Sequence, residues 1–169
     1  MNATLDHIHI FAQNPDQSIA FFVDALGAEL LGTLPTTGDK PNRLLILGGQ
    51  FLVVSAFPES MEAHPQAAIG DGAVKNGFGV AHIGLNVPDL DEAIVGLRAH
   101  GVEPHSSPRG TGSIRFVYFS APDGVVVELT QYILPPRLAR LAYFATLFDR
   151  GVHTTRRLLG RKLVGSRAR

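Results

Sequence analysis

Two histidines stand 75 residues apart in matching surroundings: His7-Ile8-His9-Ile10, followed by Asp16 and Ile19-Ala20, recurs without a gap as His82-Ile83-Gly84-Leu85, followed by Asp91 and Ile94-Val95. Imidazole is a common ligand for a divalent cation and the side chain best placed to move a proton near neutral pH. A histidine on a short β-like run, then a helix, twice over, describes two copies of one supersecondary unit. If such units pack face to face, the two imidazoles meet in one cleft, where a metal would be at home. Glu128 sits in the apolar run Val125-Val126-Val127-Glu128-Leu129. A carboxylate there is costly unless it binds a metal or pairs with a cation, Arg115 being the nearest candidate. His9 shares the face of His7 about 6.6 Å further along the strand, too far to share a metal easily. It reads as an acid or base beside the site, or as a surface histidine.

The elements that must position these groups follow the same order in each copy. Leu5 to Ala12 reads as a strand, and Asn14-Pro15-Asp16 signals a helix start. Ile19, Phe22, Val23 and Leu26 fall at helical spacing before Gly27. Ala28 to Leu34 reads as a strand, and 44–47 with 51–57 as a hairpin turning at Gly48-Gly49-Gln50. In the second copy, 79–87 reads as a strand, and Pro88-Asp89 opens a helix with Leu90, Ala93, Ile94 and Leu97 on one face. Val102 to His105 reads as a short strand and 106–112 as a loop. Ser113 to Ser120 and Val125 to Tyr132 form a hairpin around Pro122-Asp123-Gly124. Each copy therefore reads β-α-β-β-β. Residues 4–57 and 79–132 are the two modules, 58–78 the linker, and 1–134 together one domain. His100 and His105 are expected to face solvent, and Arg109-Gly110-Thr111-Gly112-Ser113 to form a flexible pocket rim.

Composition narrows the chemistry. There are no cysteines, so disulfides, thiolate ligands and cysteine nucleophiles play no part. No signal peptide and no apolar run long enough to span a bilayer are seen, and a cytoplasmic location is expected. Residues 1–134 hold six Lys/Arg against 14 Asp/Glu, whereas 135–169 hold nine against Asp149 alone. The basic segment 135–169 is expected to be a helical extension. Leu138, Leu141, Ala142, Ala145 and Phe148 make an apolar stripe, and a break at Gly151 leads into a partly disordered end. That end could touch an anionic surface; no specific nucleic-acid partner is expected.

The paired modules, with His7 and His82 on their first strands, resemble the vicinal oxygen chelate superfamily. This group includes glyoxalase I, methylmalonyl-CoA epimerase, extradiol dioxygenases and bleomycin-resistance proteins. The clearest motif is Tyr118-Phe-Ser-Ala-Pro-Asp-Gly-Val-Val-Val-Glu128-Leu129, similar to the family's turn and strand ending in a metal-ligand glutamate. The resemblance implies an α+β fold of paired βαβββ modules around a cup-shaped mixed sheet. It implies one divalent metal (Fe2+, Zn2+, Ni2+, Co2+ or Mn2+) on His7, His82 and Glu128. Open coordination positions then suit a small substrate that presents two adjacent oxygens. A homodimer is expected. His9 and Tyr118 are the candidate acid and base, and Arg109, Arg115 and Ser55 the candidate substrate contacts. A fourth ligand would fall at Val53, Val54 or Ser55, where no Glu, Gln or His is available, and the acid-base histidine of dioxygenases has no counterpart within 109–113. Lyase or isomerase chemistry is the leading expectation. Extradiol cleavage by Fe(II) and non-catalytic antibiotic binding are the alternatives.

Overall fold

A computed structural model describes residues 5–35, 40–59, 79–133 and 151–164. The chain divides into two compact units, Met1–Glu62 with Arg140–Arg169, and Ala63–Ala139. The first contains β1 (His7–Ala12), α1 (Pro15–Asp24), β2 (Glu29–Leu34), β3 (Asn42–Leu47) and β4 (Gln50–Ala56). A further helix, α3, runs over 151–164. The second contains β5 (Ile83–Asn86), α2 (Leu90–Ala99), β6 (Arg109–Thr111), β7 (Ile114–Ser120) and β8 (Val126–Tyr132).

Each unit is a four-stranded mixed sheet, ordered β1-β4-β3-β2 in one and β5-β8-β7-β6 in the other. The repeat survives at the level of register. His9 stands opposite Val53 in the parallel β1–β4 pair, and Gly84 opposite Glu128 in β5–β8. Both positions are shifted by the same 75 residues that separate the two histidines. The helices repeat too. Asn14 caps α1 by accepting from the Gln17 N–H, and Asp89 caps α2 by accepting from Asp91 and Glu92. α1 buries Ser18, Ile19 and Phe22, and α2 buries Leu90, Ile94 and Leu97, one stripe each.

The predicted α+β architecture of paired βαβββ modules with a C-terminal helix is what forms. Three local expectations differ. Val102 to His105 is not a strand; the edge strand is β6, inside the segment read as a loop, where it pairs with β7. Residues 151–164 are helical and packed rather than partly disordered. The stripe at 138–148 and most of the linker lie outside the described residues.

α3 explains a feature of β4. Phe51, Leu52, Val53 and Val54 are all buried, without the alternation of a half-exposed strand. Leu52 and Val54 face the α1 side. Phe51 and Val53 join Leu44 and Ile46 in a cluster packed by Leu31, Leu34 and Val164 of α3. At the β3–β4 turn, Gly48 and Gly49 both take positive φ (56° and 82°), which suits a two-residue hairpin connection.

Candidate metal and proton-transfer site

In the second unit, the face of the sheet opposite α2 carries the reactive groups. Val117, Phe119, Val127 and Leu129 point into the core, so the alternate residues Phe116, Tyr118, Ser120 and Glu128 share the other face. His82, one residue before β5, meets Glu128 there, with Nε2 3.1 Å from Oε2. The alternative pairing of Glu128 with Arg115 does not form, because Arg115 pairs with Asp91. Tyr118 stands opposite Glu128 in the β7–β8 register and hydrogen-bonds to its carboxylate. The Tyr118 and His82 rings meet edge to face at 5.3 Å. Burial pushes the Tyr118 phenol above its ordinary pKa, and the Glu128 hydrogen bond and charge add to the effect, while Arg109 opposes it. Arg109 pairs with Phe116 on the same face and is exposed.

The separation of His82 and Glu128 has a physical reading. Ligand atoms about 2.0–2.2 Å from a metal, at the angles of four- to six-coordinate sites, stand about 3.0–3.5 Å apart. The imidazole nitrogen and carboxylate oxygen already form such an edge. The pair therefore fits a divalent cation, as it also fits a charge-assisted hydrogen bond.

In the first unit, β1 presents His7 and His9 on one face. Their ring centres are 6.5 Å apart, in line with the spacing expected along a strand. Asp6 Oδ2 accepts from His7 Nδ1 at 2.8 Å, and no partner stands at Nε2 among the described residues. A carboxylate on one nitrogen, orienting the ring and making the other a better donor, is the usual support of a metal-binding histidine. His9 Nε2 shares a 2.9 Å hydrogen bond with Ser55 Oγ. Burial lowers the His9 pKa, and the neighbouring His7 lowers it further, so the ring favours its neutral form. Among the described residues no group of three or more His, Cys, Asp or Glu side chains is gathered as a metal cluster.

Two expected substrate contacts have partners within the chain. Arg115 points to the α2 side, away from Glu128, and grips Asp91 with two hydrogen bonds of 2.8 and 2.9 Å. Side chains alternate across a strand, so Arg115 cannot share the face of Phe116 and Tyr118. Ser55 is 2% exposed and hydrogen-bonded to His9, so it orients that imidazole. The register also identifies the first-module counterpart of Glu128 as Val53, buried in the cluster under α3. His105 is half-buried, not solvent-facing. Its Nε2 lies 2.8 Å from Ser120 Oγ, on the face of Tyr118. No periodic pattern signals that contact, because His105 lies in irregular chain.

Similarity to known proteins agrees with this architecture. A model of the Glyoxalase/Bleomycin resistance protein/Dioxygenase superfamily matches residues 4–129. No curated protein matches the chain by sequence. Among solved structures, a mutant of the fosfomycin resistance protein FosX from Listeria monocytogenes, complexed with Mn(II) and 1S,2S-dihydroxypropylphosphonic acid, aligns with a TM-score of 0.60. It is 20% identical, over 82% of this chain and 99% of that one. A glyoxalase family protein from Enterococcus faecalis aligns at 0.59 with 25% identity, over 75% and 96%. TnmS3, an antibiotic binding protein from Streptomyces sp. CB03234, aligns at 0.58 with 20% identity, over 78% and 97%. With the family match spanning both modules and both sheets repeating one register, this chain belongs to the Glyoxalase/Bleomycin resistance protein/Dioxygenase superfamily.

Proposed function

We propose that this protein is a metal-dependent enzyme acting on a small molecule through two adjacent oxygens, with lyase or isomerase chemistry. The observation that carries the reading is the His82–Glu128 edge, 3.1 Å long, with Tyr118 beside it. His82, Glu128 and the Asp6-oriented His7 would hold one divalent cation. Such a cation, when bound, polarises substrate oxygens and stabilises negative charge that develops on them.

The remaining work falls to the chain's own groups. Tyr118 keeps its proton to well above neutral pH, and its single O–H would have to turn from Glu128 to donate a hydrogen bond to a substrate oxygen gaining charge. His9, kept neutral by burial and steadied by Ser55, is suited to accept a proton. Arg109 lies on the face of Tyr118 and is available to a substrate anion. The protein is proposed to work as a homodimer. A second reading is binding without turnover, and the likeness of fold to an antibiotic binding protein motivates it.

Elemental analysis of anaerobically purified protein tests the proposal, beside His82→Ala and Glu128→Gln. About one equivalent of metal per chain, lost in both variants, is the expected result. Zinc, nickel, cobalt or manganese directs screening to lyase and isomerase substrates, and iron to ring cleavage with O2 uptake. Protein that takes up no metal after reconstitution, yet binds ligand, would establish the binding reading instead.

A further inference from the structure

α3 belongs to neither βαβββ module, yet it lies against the face of the first sheet that carries His7. In the parallel β1–β4 pair, His7 stands opposite Phe51 and His9 opposite Val53. These four side chains therefore leave the sheet on one side. α3 covers the Phe51 end of that side. A Cβ on Gly160 would lie 2.4 Å from Leu31 Cδ1 and 2.9 Å from Phe51 Cε1, so the helix backbone sits directly on the strand side chains.

Seated in this way, α3 sends its basic residues to two flanks. Arg157 and Arg161 reach Glu29 on β2, at 2.5 and 2.8 Å. Arg156 reaches the opposite flank. It donates to the Leu5 carbonyl at 3.0 Å, two residues before His7, and to the Gln50 side chain. Its guanidinium stands 5.8 Å from the ring centre of Phe51, the residue paired with His7.

The two flanks differ in charge. Arg157 and Arg161 share a carboxylate, whereas both hydrogen-bond partners of Arg156 are neutral oxygens. Among the described residues no acidic side chain pairs with Arg156, and 151–164 holds three arginines and Lys162 but no acid. A guanidinium offers five N–H donors in a rigid fork, and two neutral acceptors leave donors unused. Its delocalised charge and flat shape favour a bidentate oxyanion.

We propose that Arg156 is an anion-binding residue of the cleft on the His7 face, and that the substrate carries a carboxylate or phosphoryl group besides its two adjacent oxygens. This inference rests on the reading that the His7 face lines the substrate cleft. α3 would then be a wall of the site, packed over Leu31 and Phe51 with Arg156 at its β1 flank.

The test uses the full-length, metal-free protein with inorganic phosphate as probe, followed through the imidazole NMR signals of His7 and His9. Wild-type protein should show saturable shifts of these signals. Arg156→Gln should weaken the apparent affinity about tenfold or more, the loss expected for a charge-assisted contact. Arg156→Lys keeps the charge and should retain most of the binding. Arg157→Gln, whose arginine is committed to Glu29, should stay within about twofold of wild type, because a spent charge has little left to give. Equal binding by Arg156→Gln and wild type, an equal loss in Arg157→Gln, or no saturable shift in wild type would each overturn the assignment. Metal content of the wild-type protein is read separately. Failure to bind metal would remove the proposed chemistry while leaving the phosphate result standing.

Discussion

Gly160→Ala and Gly96→Ala form a matched pair in which one substitution should stabilise at Gly96 but not at Gly160. Both glycines lie inside helices, Gly96 in α2 and Gly160 in α3. Alanine is favoured over glycine in a helix interior by about 0.8–1.0 kcal/mol, and this gain is common to both. At Gly96 the new methyl meets nothing within 4 Å, so the gain should appear in full. For a chain of this size it corresponds to about 2–4 °C in Tm. At Gly160 the methyl would approach Leu31 Cδ1 to 2.4 Å and Phe51 Cε1 to 2.9 Å. Leu31 ends in a flexible chain and can turn away. The Phe51 ring is 5% exposed and packed among Leu44, Ile46 and Val53, so it cannot. Overpacking of this kind costs about 1–3 kcal/mol, which leaves Gly160→Ala between neutral and about 2 kcal/mol less stable than wild type. Urea unfolding followed by circular dichroism reads both variants against one baseline. Gly160→Ala stabilised as much as Gly96→Ala would refute the seating of α3 on Phe51, and with it the wall that carries Arg156.

Two further outcomes follow from the charges. Burial pushes the Glu29 carboxyl up, but hydrogen bonds and charge from Arg157 and Arg161 outweigh it, so its folded pKa lies below the ordinary value. A depressed carboxylate contributes stability that is present above about pH 4.3 and lost as pH falls through the lowered folded value. Protection factors of the α3 amides, corrected for intrinsic exchange, should therefore fall on acidification below about pH 4.3, and Glu29→Gln should remove that acid dependence. Tyr118 should ionise above the ordinary phenol value of about 10 in an ultraviolet titration, and Glu128→Gln should bring it back down by removing the neighbouring negative charge.

Much of the fold was legible because it is written twice. An uninterrupted offset from His7 to His82 must preserve strand register, and the pairs His9–Val53 and Gly84–Glu128 share it. Helix caps at Asn14 and Asp89 are local hydrogen bonds between neighbours in sequence, which the residue types disclose. Glu128 stood out because an isolated carboxylate in an apolar strand demands a partner. What stayed hidden was non-local. Arg115 and Tyr118 are three residues apart on one strand, and only the alternation of faces sends one to Asp91 and the other to Glu128. β6 is short and exposed on every residue, so nothing in its composition distinguishes it from a loop.

Sequence alone determined the modular repeat, the helices and their caps, and the residue types able to hold a metal or move a proton. These follow from periodicity, from capping chemistry and from the cost of burying charge, all of which act between near neighbours. Tertiary structure decided which partner each group takes: His82 for Glu128, Ser55 for His9, Asp91 for Arg115. It also decided that the basic C-terminal helix packs on the His7 face. A basic, leucine-containing segment is compatible with many surfaces. Here the space that Gly32 leaves for Val164, the apolar bed around Phe51 and the carboxylate of Glu29 coincide on one sheet, and that coincidence arises only once β2, β3 and β4 have paired.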